Sequence, residues 1–122
     1  MKRTVEVTEA NFQSEVLKSN RPVLVEFAPG WSFPGLALDD AFDELATDFD
    51  ADYFKTARVA LDRSPNLGLW YGIRCIPTFL CFVDGEERLG IFGMTSKQAV
   101  LSQLKSIINS RHMPEPALAR VN

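Results

Sequence analysis

Cysteine and histidine are scarce, with Cys75, Cys81 and His112 the full complement of the 122 residues, and they stand at no familiar zinc spacing. No metal site and no cofactor is therefore expected. No apolar run approaches the ~18 residues of a membrane span, and Met1-Lys2-Arg3-Thr4-Val5-Glu6 leads into a strand pattern without the apolar stretch of a signal peptide. A cytoplasmic protein is the expectation. Nor is there an excess of positive charge: the formal net charge is −3, which gives no general attraction to phosphate backbones or anionic lipid. Nucleic acid and membrane surfaces are set aside as partners. What is present, 46% hydrophobic and 24% charged residues, is the balance of an ordinary globular domain with room for one core.

Residues 23 to 28 (Val-Leu-Val-Glu-Phe-Ala) make a nearly continuous apolar run, interrupted only by Glu26, as expected of a strand buried on both faces. Leu38, Phe42, Leu45, Ala46 and Phe49 then recur on one helical stripe. A second strand spans Tyr53 to Leu61. Ser64-Pro65 suits a serine cap and a proline first turn, with Gly72 closing that short helix. Residues 77 to 83 and 88 to 92 flank Asp84-Gly85, a dipeptide suited to a tight hairpin. Thr95-Ser96-Lys97-Gln98 reads as a capping box for a helix carrying Val100, Leu101, Leu104, Ile107 and Ile108 on one face. Val5 and Val7 alternate with polar neighbours, and Thr8 precedes a helix with Phe12, Val16 and Leu17 on one side. The order is βαβαβαββα, an α/β fold with one mixed sheet of about five strands and helices on both faces. The domain is placed at residues 1–109. Residues 110–122 carry two prolines and no period, and read as a tail or a linker from a longer chain.

Within that order stand Val23-Leu-Val-Glu-Phe, Trp31-x-x-Pro34, Tyr71-Gly-Ile-Arg-Cys-Ile-Pro77-Thr78, Asp84-Gly85 and Gly93. The series, over roughly residues 4 to 109, resembles the thioredoxin family. The resemblance implies a Cys-x-x-Cys pair after the tryptophan, but here the segment reads Trp31-Ser32-Phe33-Pro34-Gly35. A serine hydroxyl cannot form the mixed disulfide and glycine has no side chain to resolve one, so dithiol–disulfide oxidoreductase activity is not expected at Ser32 and Gly35. Ser32 also removes the first cysteine that monothiol relatives keep. The resemblance further places Glu26 where the family has a buried acid and Arg58 where it has a nearby lysine. These two are expected to form a charge pair, with Glu26 partly buried.

Pro77 matches the family's cis-proline, and Ile76 before it is the residue whose backbone would meet an extended partner segment. Trp31, Phe33, Pro34, Cys75, Ile76, Pro77 and Gly93 form the candidate binding surface; Phe33 and Leu36 make it more apolar than the family pattern. The leading expectation is a redox-inactive module, chaperone-like or an assembly factor, that binds an extended or apolar segment of another protein. The alternative is weak single-thiol disulfide exchange through Cys75 in cell redox homeostasis. Cys75 could also pair with Cys75 of a second molecule and so give a homodimer. Cys81 reads as a small buried hydrophobe; an extended separation of ~20 Å from Cys75 far exceeds the ~7 Å reach of a disulfide. Seven acids, Asp39, Asp40, Asp43, Glu44, Asp48, Asp50 and Asp52, read as a solvated helix face.

Overall fold

A computed structural model describes residues 4–30, 54–93 and 96–112. Eight elements follow in chain order: β1 (Val5–Val7), a short helix α1 (Gln13–Leu17), β2 (Val23–Ala28), β3 (Lys55–Ala60), α2 (Pro65–Trp70), β4 (Thr78–Val83), β5 (Glu86–Phe92) and α3 (Lys97–His112). The strands form one mixed sheet in the order β1-β3-β2-β4-β5. β1, β3 and β2 run parallel; β4 and β5 are antiparallel additions. The expected α/β architecture is present. The helical stripe at Leu38 to Phe49 and the seven acids from Asp39 to Asp52 lie outside the described residues.

β2 and β4 have strand neighbours on both sides, and every residue of each is buried, as their unbroken apolar runs dictate. Alternation divides their side chains between two cores. Val23, Val25 and Phe27 join Phe12 and Val16 from the α1 region and Leu67 from α2 on one face. Leu24, Phe79, Cys81 and Val83 meet Val100 and Leu104 of α3 on the other. Helices thus cover both faces of the sheet.

Several local expectations are corrected. The helix after Thr8 is of the wide π type, with the Lys18 N–H reaching the Gln13 carbonyl at 2.8 Å. Ser64 occupies the capping position of α2 without a side-chain bond to the helix. Glu9 takes over from outside: its Oε2 accepts the Asn66 backbone N–H at 3.2 Å, placing a negative charge where the helix N-terminus favours one. At α3, Ser96 Oγ accepts the Ala99 N–H at 3.1 Å and so caps the first turn, while Thr95 lies outside the described residues. That helix continues to His112, past residue 109.

The hairpin follows its turn chemistry. Asp84 and Gly85 both take positive φ, 53° and 82°, matching the twist of β4 and β5. A side chain at position 85 would also meet the Leu17 carbonyl at 2.8 Å, so the turn can sit on the end of α1 only with glycine there.

Candidate functional site

The segment between α2 and β4 is built by backbone constraints. Gly72 leaves α2 with φ 62°, the left-handed geometry that ends a helix, and the Ile73 N–H closes back on the Gly68 carbonyl at 2.9 Å. Arg74, Cys75 and Ile76 then run exposed to a cis Ile76–Pro77 bond. Two hydrogen bonds fix this stretch. Thr78 Oγ1 donates to the Cys75 carbonyl at 2.7 Å, and the Gly93 N–H donates to the Pro77 carbonyl at 2.8 Å.

Strand register shows where this stretch lies. Thr78 pairs with Phe27 of β2 and with Phe92 of β5. Cys75, Ile76, Pro77, Phe92 and Gly93 are therefore gathered at the sheet end where β2 stops at Ala28. Pro77 is buried, whereas Ile76 and Phe92 are 48% and 64% exposed. Trp31, Ser32, Phe33, Pro34 and Gly35, named from the sequence, lie outside the described residues. Phe92 was not among the residues singled out, although its signal was legible: Leu89 and Ile91 point inward, and a period of two turns Phe92 outward. Leu69 and Trp70 on α2, 76% and 66% exposed, were also missed; a six-residue helix is too short to show which side its apolar residues take.

The two thiols occupy opposite environments. Cys75 is free and exposed. Cys81 is free and fully buried in the middle of β4, where burial pushes its thiol up to about 12 and the Arg88 charge offsets only part of that. Only Cys75 is open to a reaction partner. Among the described residues no cluster of three histidine, cysteine or acidic side chains could hold a metal.

Glu26 is opposite Arg58 in the β2–β3 register, and Arg58 Nε donates to Glu26 Oε1 at 2.8 Å. The expectation of a partly buried acid is corrected, because the Glu26 side chain is wholly buried. It stands on the central strand, third from either edge of the sheet, with β3 and β4 both alongside. Arg58, one-quarter exposed, carries the pair's charge outward to a cavity of about 280 Å³ lined also by Thr4, Glu6, Gly30, Ala60 and Arg63.

The family model described as Thioredoxin matches residues 3–106. Thioredoxin of Pyropia yezoensis is 34% identical over 104 residues, covering 85% of this chain and 96% of its own length. Thioredoxin of Rickettsia felis is 34% identical over 102 residues, 84% of this chain and 96% of the relative. Thioredoxin 1 of Synechococcus elongatus is 37% identical over 98 residues, 80% and 91%. Similarity across nearly the whole length of proteins so named overturns the expectation of a redox-inactive, chaperone-like binding module. That expectation rested on the missing thiols at positions 32 and 35. Their loss removes one route of exchange but leaves the exposed thiol of Cys75.

Proposed function

We propose, from the premise that this chain belongs to the thioredoxin family, that it carries out single-thiol disulfide exchange with protein partners through Cys75. The observation that carries this reading is the placement of an exposed, free thiol two residues before Pro77, its carbonyl held by Thr78, at the sheet end where β2 stops at Ala28. The Cys75 thiolate attacks one sulfur of a partner disulfide. The partner's S–S bond breaks, a Cys75–partner mixed disulfide forms, and the departing thiolate takes up the proton that Cys75 released. A small external thiol then attacks at Cys75 sulfur, and a second equivalent reduces the resulting mixed disulfide. The sum converts one partner disulfide and two small thiols into two partner thiols and one small-molecule disulfide. With Cys81 buried, no described thiol of this chain can do the resolving, so turnover depends on the external thiol and is slow.

The partner segment is read as extended and apolar around its cysteine. Exposed Ile76 and Phe92, beside Pro77 and Gly93, support that reading, and Trp31, Phe33 and Pro34 are the residues proposed to complete the surface. Glu26 and Arg58 are proposed as a structural charge pair. A second copy is also a partner this chemistry accepts: its Cys75 thiolate attacks the Cys75 sulfur of the mixed disulfide, the second partner thiol leaves with a proton, and the dimer joined through Cys75 that remains, oxidised at the expense of the partner disulfide, is reopened by small thiols. A reducing compartment such as the cytoplasm suits a free exposed cysteine.

The test is to incubate the protein with a peptide disulfide and quench with acid. Mass spectrometry is expected to find one peptide on Cys75 and none on the Cys75→Ser variant. Equal adduct on Cys75→Ser, or none on the parent at any peptide concentration, overturns the reading.

A further inference from the structure

In the exposed stretch before β4 the protein itself takes two carbonyls: that of Cys75, by Thr78 Oγ1 at 2.7 Å, and that of Pro77, by the Gly93 N–H at 2.8 Å. Thr78 is wholly buried, so its bond draws the Cys75 carbonyl inward. The Cys75–Ile76 peptide is trans and planar, which puts the Ile76 N–H on the side opposite that carbonyl. Among the described residues nothing accepts this N–H, and Ile76 is 48% exposed. A donor next to the reactive thiol is therefore turned outward by a hydroxyl that touches neither the thiol nor solvent.

We infer that Thr78 is a positioning residue that sets the register of the partner segment: the segment lies antiparallel, its attacked cysteine opposite Cys75, and the carbonyl of the residue before that cysteine accepts the Ile76 N–H. The inference rests on the exchange reading of Cys75 and narrows its substrate to a cysteine whose amino group is acylated. In an antiparallel pair, residues whose backbone groups turn away from the partner strand face each other at about 4.5 Å between Cα atoms, and their neighbours make the hydrogen bonds. A disulfide spans about 4.4–6.8 Å between Cα atoms. With its carbonyl turned inward, Cys75 is the first kind of position and Ile76 the second. One register therefore satisfies both the mixed disulfide at Cys75 and the hydrogen bond at Ile76. The covalent step is unchanged: the Cys75 thiolate takes one partner sulfur and the other leaves as a thiolate. Without the Thr78 hydroxyl the peptide unit is free to rotate, and its carbonyl then faces the partner's carbonyl, acceptor against acceptor.

The experiment compares two symmetric peptide disulfides, one of acetyl-Cys-Ala-Ala-amide and one in which 3-mercaptopropionyl replaces the acetylated cysteine, removing the preceding carbonyl without adding charge. Formation of the Cys75 adduct is followed by acid quench and mass spectrometry. The parent is expected to favour the acetylated peptide about tenfold, near the upper end of what one hydrogen bond contributes. Thr78→Val, which matches threonine in shape but has no donor, is expected to react with both peptides at about the same rate. Thr78→Ser is expected to keep most of the preference. Amide exchange reads the Ile76 N–H directly in the parent, and is expected to slow in the acetylated adduct and not in the other. A parent without preference, a preference that survives in Thr78→Val, or Ile76 exchange that is the same in both adducts would each overturn the inference. The exchange measurement decides the matter however Thr78→Val folds. Absence of adduct with either peptide overturns the exchange reading itself, and this register with it.

Discussion

Cys75 and Cys81 are six residues apart in one chain segment, yet they teach opposite lessons about a thiol. Cys75 stands just before β4 on exposed backbone whose carbonyl Thr78 holds; Cys81 stands inside β4 with Leu24 of β2 opposite and α3 beyond. The first is a reagent and the second is packing. Nothing in the amino acid itself separates them. The difference lies in whether the strand has yet entered the sheet.

The sharpest way to break this contrast is differential alkylation. A thiol at about 12 is ionised to about one part in ten thousand at pH 8, and burial excludes the reagent as well. Iodoacetamide is expected to modify Cys75 in the native protein at least ~1000-fold faster than Cys81, and to reach both at similar rates in urea. Comparable native rates would remove the distinction.

The next largest effect is alkaline. Cys81 loses its proton near 9.0 when unfolded and near 12 when folded, so between those values the unfolded chain holds fewer protons and stability falls as pH rises. Over three units this approaches the order of 4 kcal/mol. Urea midpoints from pH 8 to pH 11 are expected to fall more steeply for the parent than for Cys81→Ala, with parallel slopes contradicting the burial argument.

Serine substitutions sharpen the comparison at neutral pH. Cys81→Ser buries a hydroxyl among Leu24, Val83 and Leu104 and is expected to cost about 1–3 kcal/mol, whereas Cys75→Ser is expected to stay within ~0.5 kcal/mol. Denaturant titration of the two variants reads both. The smallest effect concerns the apolar rim: Phe92→Ala is expected to raise the apparent KM for a protein disulfide about fivefold, roughly 1 kcal/mol of contact, with kcat nearly unchanged. A fall in kcat at constant KM would show that Phe92 acts otherwise than by contact.

How much of this the sequence disclosed depends on the range of the interaction. β2 and β4 were legible because a strand buried on both faces must be apolar throughout, and the Asp84-Gly85 turn because two positive φ angles restrict the residue types. The order of motifs, from Val23 to Gly93, identified the family. Less legible were contacts assembled across the chain. The cap of α2 comes from Glu9, on a loop 57 residues away, while the adjacent serine looked sufficient. The Asp62–Gly30 bond arises only because Pro29 and the turn after β3 together leave a donor without a backbone acceptor. Glu26 was read as partly buried because its neighbours in sequence say nothing of how many strands lie to either side. The functional reading erred where it weighed two missing thiols above the one in place.

The most direct measurement of the central claim is the rate of insulin disulfide reduction by dithiothreitol in the presence of the parent protein, Cys75→Ser and Cys81→Ser, followed by turbidity. Exchange through Cys75 predicts a modest acceleration by the parent and by Cys81→Ser, and none by Cys75→Ser. Acceleration that survives in Cys75→Ser, or its absence from the parent, would contradict the account.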